Sequence, residues 1–203
     1  MRVIAGSAGG VRLSVPKRGV RPTMDRVKAA IFSSLGDAII GARVLDLFAG
    51  SGALGIEALS RGACSVLFVE EDRLSTNVIE KNLAQTKFAA RVRQQSVSDF
   101  LRSASGTEKF QIILADPPYE KTKSGERFTE KLLTNKKLSE LLAPGGTFVL
   151  EKRPGEALPE TKLWRVARQK KYGATEVLFL SAATASPVRT NQQGVHPTRR
   201  AIE

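Results

Sequence analysis

The alternation of apolar and polar positions along the chain predicts strands that alternate with helices. Five strands are predicted, at residues 43–48, 65–70, 91–95, 111–115 and 147–151, and the first, a short apolar run, is expected to be buried. Apolar residues at helical spacing predict helices between them, at residues 53–61, 74–86, 99–105 and 128–142. In the second of these helices, Leu74, Val78 and Leu83 are expected to face inward. This order predicts an α/β fold, in which a mostly parallel sheet carries helices on both faces.

The N-terminal part of the chain departs from this alternation. Residues 2–15 predict a hairpin that turns at Gly9-Gly10. The following helix is expected to start behind Thr23, its N-cap, and to run to about Leu35. We therefore expect a hairpin and a helix over residues 1–36.

The C-terminal part departs from the alternation as well. Residues 162–169 and 175–180 predict two strands with no helix between them, joined near Tyr172-Gly173. They are expected to form an antiparallel hairpin at one end of the sheet. The main domain is thus expected to cover residues 37–181. Residues 182–203 are polar and aperiodic, which predicts a disordered tail.

Charge adds the expectation of a polyanionic partner. Lys and Arg number 32 against 20 Asp and Glu, a net charge of +12, and residues 1–35 hold one acid, Asp25, among many basic side chains. This excess favours nucleic acid and predicts that residues 1–36 face RNA. No run is apolar enough to span a membrane, and the N-terminus does not have the pattern of a secretory signal. A cytoplasmic monomer without a membrane partner is therefore expected.

The single cysteine and the single histidine exclude several kinds of site. Cys64 has no disulfide partner, and its apolar surroundings in the sequence predict packing in the core. His196 lies in the polar tail. A His/Cys metal site and a Ser-His or Cys-His catalytic pair are excluded, so no metal is expected.

A glycine-rich segment follows the first predicted core strand. Gly50, Gly52 and Gly55 form a GxGxxG pattern, which by itself also fits dinucleotide sites. Asp46 lies just before them, where a buried carboxylate suits a cation such as the ammonium of a methionine moiety and would repel a pyrophosphate. No GK[ST] follows, which excludes a P-loop. The segment predicts an S-adenosylmethionine site with contacts at Asp46, Phe48, Ala49, Gly50, Ser51 and Gly52.

The next two strand ends offer further contacts for such a cofactor. Glu70 ends the second strand, where an acid can accept both ribose hydroxyls, with Glu71 as the alternative. After the third strand, Ser96 is expected to contact the adenine, with Asp99 or the Val97 N–H as alternatives.

The tetrapeptide Asp116-Pro117-Pro118-Tyr119 follows the fourth strand and carries the catalytic prediction. Two prolines remove two N–H donors, so the backbone offers acceptors, the Pro117 carbonyl in particular. Together with the Asp116 carboxylate it can hold both hydrogens of a conjugated amine, such as the exocyclic amine of a base. Tyr119, beside Pro118, offers a face on which a flipped base can stack. The tetrapeptide permits guanine, adenine or cytosine.

These motifs, together with Arg21-Pro22-Thr23-Met24-Asp25-Arg26-Val27 and the run Glu57–Ala63, resemble the bacterial ribosomal RNA methyltransferases that modify guanine N2 in the small subunit. The resemblance covers residues 2–181. It implies a Rossmann-like, seven-stranded class I methyltransferase fold that uses S-adenosylmethionine. It implies ribosomal RNA or the small-subunit particle as the partner. It also places Arg21 and Thr23 at the cofactor carboxylate or the substrate.

Three other functions stay open at the level of sequence. An adenine-N6 or cytosine-N4 methyltransferase on RNA or DNA fits the same tetrapeptide, although the chain has no obvious DNA target-recognition domain. A noncatalytic ribosome-assembly factor with this fold is disfavoured by the intact Asp116 and glycines. A nicotinamide dehydrogenase is disfavoured by Asp46 and by the tetrapeptide.

Overall fold

A computed structural model describes residues 1–16, 24–118 and 127–183, which form a seven-stranded sheet flanked by helices. The strands follow the order β3-β2-β1-β4-β5-β7-β6 across the sheet. They are β1 Arg43–Leu47, β2 Ser65–Glu70, β3 Arg91–Gln94, β4 Phe110–Ala115, β5 Leu142–Lys152, β6 Trp164–Tyr172 and β7 Thr175–Ala182. The helices are α1 Met24–Leu35, α2 Ala53–Ser60, α3 Arg73–Thr86, α4 Val97–Ser103, α5 Phe128–Leu133 and α6 Lys136–Leu141, and a 3-10 turn covers Gly36–Ile39.

The direction of the strands gathers the carboxyl ends of five of them on one edge of the sheet. Strands β1 to β5 run parallel, and β7 pairs antiparallel with both β5 and β6. The predicted α/β fold and the antiparallel hairpin at one end of the sheet are thus confirmed. In such sheets the ligand site lies beyond the carboxyl ends of the strands, where the order reverses beside β1.

Each face of the sheet has its own apolar core, because side chains alternate along every strand. Val44, Leu114 and Val149 point to the face covered by α1, α2, α3 and the N-terminal segment. Leu45 and Ile113 point to the face covered by α4, α5 and α6. The two cores explain why the central strands are apolar throughout rather than alternating.

A buried polar cluster anchors residues 1–16 to α2. The two carboxylate oxygens of Glu57 accept the N–H groups of Ile4 and Ala5 at 2.7 and 3.1 Å. Glu57 also binds Arg61 at 2.7 Å and lies 3.5 Å from Lys28, which donates to the Arg2 carbonyl at 2.6 Å. Burial lowers the pKa of Lys28, and the charge of Glu57 opposes this effect. The N-terminal segment is therefore fixed by polar contacts as well as by apolar packing.

The predicted N-terminal hairpin is only partly formed. A single antiparallel bridge joins Arg2 to Arg12, and the backbone N–H groups of Val3 and Leu13 donate to the carbonyls of Val11 and Met1 at 2.9 Å, so the two arms pair over a short stretch and the turn between them spans residues 5–10. Ser14 lies beyond this pairing, and the amide of Asn82 binds its backbone N–H and carbonyl at 2.8 and 2.9 Å. The same side chain donates to the Ser51 carbonyl at 2.9 Å, which links this segment to the glycine loop.

The helix predicted over 128–142 is interrupted. Asn135 accepts the N–H of Leu138 at 3.0 Å and so caps a second helix, α6. Strand β5 then starts at Leu142 rather than 147, and a register shift opposite β4 accommodates residues 144–146. A Cβ at Gly146 would lie 2.8 Å from the Gln111 carbonyl oxygen, so this part of the chain requires glycine.

Two predictions of burial are wrong. Leu74 is 71% exposed, because α3 starts at Arg73 with Asp72 as its N-cap and buries Ser75 and Ile79 instead. Cys64 is exposed, since it lies in the turn before β2 and its backbone N–H, not its side chain, contacts Ala42.

Some predictions concern residues outside the described ranges. The Thr23 cap and the disordered tail from residue 184 onward belong to this group. The domain boundaries after residues 36 and 181 stay a prediction. Within the described ranges, no helix is long and apolar enough to cross a membrane.

Candidate active site

The sequence-predicted side chains that the structure describes meet at the carboxyl edge of the sheet. Asp46 lies in β1, Glu70 ends β2, and Asp116 follows β4. Strands β2 and β4 pair with β1 on its two sides. The glycine loop, which connects β1 to α2, therefore lies between the other two groups.

The glycine loop takes a left-handed backbone at several positions. Phe48, Gly50 and Gly52 have φ of 56°, 55° and 75°. A Cβ on Gly50 would meet nothing nearer than the Phe48 carbonyl oxygen at 3.9 Å, so space lies open beside this residue. A Cβ on Gly52 would lie 3.3 Å from Ile79 and from Phe68. Gly50 thus leaves room for a ligand, whereas Gly52 serves the turn and its packing.

Phe48 is the strained residue of this loop, since a left-handed backbone at a residue other than glycine costs on the order of 1 kcal/mol. Its ring packs edge-on against Phe128 of α5, with 5.1 Å between the ring centroids. The half-buried ring therefore connects the loop to the segment that follows the catalytic tetrapeptide.

Gly55 allows α2 to approach the sheet closely. A Cβ at this position would lie 2.2 Å from the Phe68 ring and 2.8 Å from Val66 of β2. The close approach brings the N–H of Gly55 to 2.9 Å from Oδ2 of Asp46. The third glycine of the motif therefore serves packing, and it places the start of α2 against the Asp46 carboxylate.

Asp46 is 1% exposed, and its environment disfavours a negative charge. Burial raises its pKa to about 8, and the charges of Asp116 and Glu70 act in the same direction. The hydrogen bond from Gly55 opposes this shift. A cationic group placed against Asp46 would favour its ionised form.

Glu70 faces the loop, whereas Glu71 is exposed. The two oxygens of Glu70 accept the N–H groups of Gly50 at 2.7 Å and of Asp72 at 2.9 Å. Each carboxylate oxygen can accept a further hydrogen bond, so this contact is compatible with binding of a hydroxyl group.

Ser96 is engaged locally at the start of α4. Its hydroxyl accepts the N–H of Asp99 at 3.1 Å and donates to the Asp99 carboxylate at 2.8 Å. Val97 is the first residue of the helix, where a backbone N–H has no acceptor within the helix. Of the three groups predicted to contact adenine, the Val97 N–H is therefore the one without a hydrogen-bond acceptor inside the helix.

The catalytic tetrapeptide is described through its first three residues. Asp116 is half-buried, Pro117 is buried and Pro118 is exposed. Tyr119, Arg21 and Thr23 lie outside the described residues, so their predicted contacts stay predictions.

Glu151 is a site residue that sequence reasoning missed. It lies near the end of β5, is 9% exposed, and interacts electrostatically with Asp116 and Asp46. In the sequence, Glu151 and the adjacent Lys152 are typical of a charged, exposed strand end. In the structure Lys152 binds Glu176 at 2.6 Å and not Glu151. Within residues 1–16, 24–118 and 127–183, no acidic group forms part of a cluster that could hold a metal.

The comparisons with known proteins agree with this architecture. The model of the family described as "Conserved hypothetical protein 95" matches residues 1–181. "Ribosomal RNA small subunit methyltransferase D" of Haemophilus influenzae is 36% identical over 177 residues, 85% of this chain and 89% of the relative. The solved structure named "Putative methyltransferase yhhF from Escherichia coli" has a TM-score of 0.76 at 34% identity, over 92% of this chain and 99% of that one.

A further solved structure shows how widely the fold is shared. It is a Thermus thermophilus 16S rRNA N2 G1207 methyltransferase in complex with AdoMet and guanosine, with a TM-score of 0.59 over 82% of this chain and 44% of that one. At 24% identity this likeness concerns the fold alone. The expected seven-stranded class I methyltransferase fold is confirmed.

Proposed function

The chain belongs to the family described as conserved hypothetical protein 95, a class I methyltransferase family, and from this premise we propose that it transfers a methyl group from S-adenosylmethionine to the exocyclic N2 amine of a guanine in small-subunit ribosomal RNA. The proposal rests on one observation: the glycine loop lies beside the Asp116-Pro117-Pro118 turn, which offers hydrogen-bond acceptors and no backbone N–H donor from its prolines. Both lie at the carboxyl edge of the sheet, on neighbouring strands β1 and β4.

The glycine loop fits S-adenosylmethionine in three respects. Gly50 leaves open space against the backbone, Glu70 lies beside it, and Asp46 is a buried carboxylate that a cation would stabilise. The bound cofactor would supply an electrophilic methyl group on a sulfonium. The protein groups proposed to hold it are Asp46, Phe48, Ala49, Gly50, Ser51, Gly52, Glu70, Ser96 and Val97.

Cofactor binding is expected to release protons through Asp46. Because the pKa of Asp46 is raised to about 8, its carboxyl group is mostly protonated at pH 7, and an ammonium group beside it favours the ionised form. Wild-type protein should therefore release about one proton per bound S-adenosylmethionine near pH 7. Calorimetry in buffers of different ionisation enthalpy measures this number.

Asp46→Asn is the matched variant for this measurement, since asparagine keeps an oxygen that can accept the Gly55 N–H. It should bind the cofactor with little proton release. Equal release by the variant and the wild type would contradict the assignment of the ammonium contact to Asp46.

The Asp116-Pro117-Pro118 turn suits a conjugated amine. Asp116 and the Pro117 carbonyl offer acceptors, and neither proline has an N–H that could compete. Two acceptors that hold both amine hydrogens fix the orientation of the nitrogen lone pair. The contribution of these residues is positioning and electrostatic stabilisation rather than covalent catalysis.

The edge strand β6 supports RNA as the partner. Its side chains from Arg165 to Lys171 are exposed, and the basic ones among them have no acidic neighbour within the strand. Strand β6 is antiparallel to β7, which is antiparallel to β5, so Lys171 lies at the edge that carries Asp116. A basic strip that ends at the site suits the sugar-phosphate backbone that leads to a target base.

The proposal is tested by incubating the protein and labelled S-adenosylmethionine with small-subunit RNA and, separately, with the assembled small-subunit particle. We expect the label to be recovered as N2-methylguanosine after digestion. Label in N6-methyladenine, in N4-methylcytosine or in DNA would overturn the guanine assignment and support the second enzymatic reading. A complete absence of transfer, with RNA binding intact, would instead support a noncatalytic assembly factor.

A further inference from the structure

Glu151 has no role in the function proposed so far, yet it lies beside Asp116. Leu150 of β5 is in parallel register with Ala115 of β4, so the next residues, Glu151 and Asp116, also lie side by side. Neighbouring strands are about 4.8 Å apart, and residues level with each other point to the same face. This face also carries Asp46, because Asp46 is level with Leu114, two residues before Asp116.

Most of the Glu151 side chain is buried, and its carboxyl group has no compensating donor from the described part of the protein. In the part of the chain that the structure describes, no hydrogen bond or ion pair reaches its side chain, although the residue is 9% exposed. The adjacent Lys152 points to the other face, where it binds Glu176 and the carbonyls of Arg153 and Glu156. Among the described residues, the Glu151 oxygens do not belong to the fully buried atoms that lack a partner, so they stay accessible to a ligand at this edge of the sheet.

The Watson–Crick edges of the three candidate bases differ in what they would place against Glu151. Guanine has an N1–H donor next to its N2 amine. Adenine and cytosine have an unprotonated ring nitrogen, N1 or N3, next to their amine. A carboxylate accepts hydrogen bonds only, so it attracts the guanine edge and repels the lone pair of the other two.

We propose that Glu151 reads the N1–H of the target guanine while Asp116 and the Pro117 carbonyl hold the N2 amine. The inference rests on the proposed function, and it assigns the choice of base to two neighbouring carboxylates on β4 and β5. Of the three bases, only guanine has an N–H donor at the ring nitrogen next to its amine, so only guanine can donate to both carboxylates. The tetrapeptide after β4 does not decide which base is bound. In this proposal Glu151, on the neighbouring strand β5, selects guanine.

The ionisation of Glu151 depends on what lies against it. Burial, followed by the charges of Asp116 and Asp46, raises the pKa of Glu151 in the unliganded protein. An N1–H donor acts in the opposite direction, because it stabilises the carboxylate. A Glu151 that stayed protonated would donate a hydrogen bond and would favour adenine or cytosine, so the experiment must separate these two outcomes.

The experiment compares guanine with 2-aminopurine, which keeps the amine but has an acceptor at N1. Small-subunit particles are reconstituted with RNA that carries either base at the position where the methyl group enters. With 2-aminopurine, neither the Glu151 carboxylate nor the N1 lone pair of the base would find a hydrogen-bond donor. Wild-type protein should therefore methylate guanine about 100-fold faster than 2-aminopurine. Glu151→Gln, whose amide can donate as well as accept, should lower this ratio by about 10-fold or more.

Glu160→Gln is the matched control, because Glu160 is exposed and lies outside the site. It should leave the ratio unchanged. A residue with only a structural role would slow both substrates alike, so an unchanged ratio in Glu151→Gln would overturn the proposal. The wild-type protein alone also tests the proposal. Equal wild-type rates on guanine and 2-aminopurine would overturn the proposal.

Failure of the inference is distinguishable from failure of the proposed function. If the product is N2-methylguanosine but the ratio does not respond to Glu151→Gln, the inference is wrong and the function stands. If the label is recovered in adenine or cytosine, both are wrong.

Discussion

Asp116→Ala is expected to lower the rate of methyl transfer by about 100- to 1000-fold, the range observed when one preorganised electrostatic contact to the reacting group is lost. Asp116 provides one of the two acceptors that orient the amine. Cofactor affinity should change little, because the glycine loop and Glu70 remain in place. The measurement combines single-turnover transfer of labelled methyl groups with calorimetric binding of the cofactor.

Loss of folding is not expected to explain this result. Asp116 contributes to the raised pKa values of Asp46 and Glu151, so its removal relieves repulsion between buried carboxyl groups. The thermal midpoint of Asp116→Ala, measured beside transfer, should therefore stay close to that of the wild type. Asp37→Ala, which removes an exposed carboxylate from the 3-10 turn, is the control and should transfer at the wild-type rate. Near wild-type transfer by Asp116→Ala would refute the mechanism.

Glu57→Ala is expected to destabilise the protein by about 3–5 kcal/mol, the typical effect of removing one partner from a buried ion pair. Glu57 is 0% exposed. Its loss would leave the N–H groups of Ile4 and Ala5 without their acceptor and would remove the buried countercharge 3.5 Å from Lys28. Denaturant unfolding monitored by circular dichroism measures the change.

Two further variants calibrate the effect of Glu57→Ala. Glu57→Gln keeps one acceptor oxygen and should lose less stability. Glu140→Ala removes a carboxylate that pairs with Lys136 and Lys137 on the surface, where solvent screens an ion pair, so it should change stability little. Similar losses for Glu57→Ala and Glu140→Ala would show that the buried cluster does not hold the N-terminal segment in place.

Local signals made much of the fold predictable from the sequence. The strands β1, β2 and β4 are mostly apolar, and glycine or proline follows soon after β1, α2 and β4. The positions of the glycine loop and of Asp116 followed from the strand ends alone. These predictions succeeded because the direction of a parallel sheet places every carboxyl end at one edge.

The wrong predictions have in common that a polar side chain competes with the local pattern. Asn135 breaks an otherwise helical segment by capping α6 from within. Leu74 fits an apolar face, but the N-cap at Asp72 sets a different phase for α3. Such contacts depend on which residue begins a helix and on how the helix is rotated about its axis. Neither property can be predicted from the local pattern of a single sequence.

In the candidate site the sequence identified residues better than it identified their contacts. The sequence predicts that Asp46 contacts a cation, and within the fold its carboxylate accepts the Gly55 N–H. Ser96 is predicted to contact the adenine, which stays a prediction, and within the fold it caps α4. Glu151 escaped notice because its significance comes from the pairing of β5 with β4, which only the folded sheet reveals.

The position of Cys64 gives the protein a natural attachment point for a reporter dye. It is the one cysteine of the chain, it is exposed, and it precedes β2, so it lies on the edge of the sheet opposite the carboxyl ends. The six residues of β2 separate it from that edge by about 20 Å. A maleimide fluorophore on this thiol would report the encounter with RNA through its anisotropy, with the native sequence unchanged and the catalytic edge unobstructed.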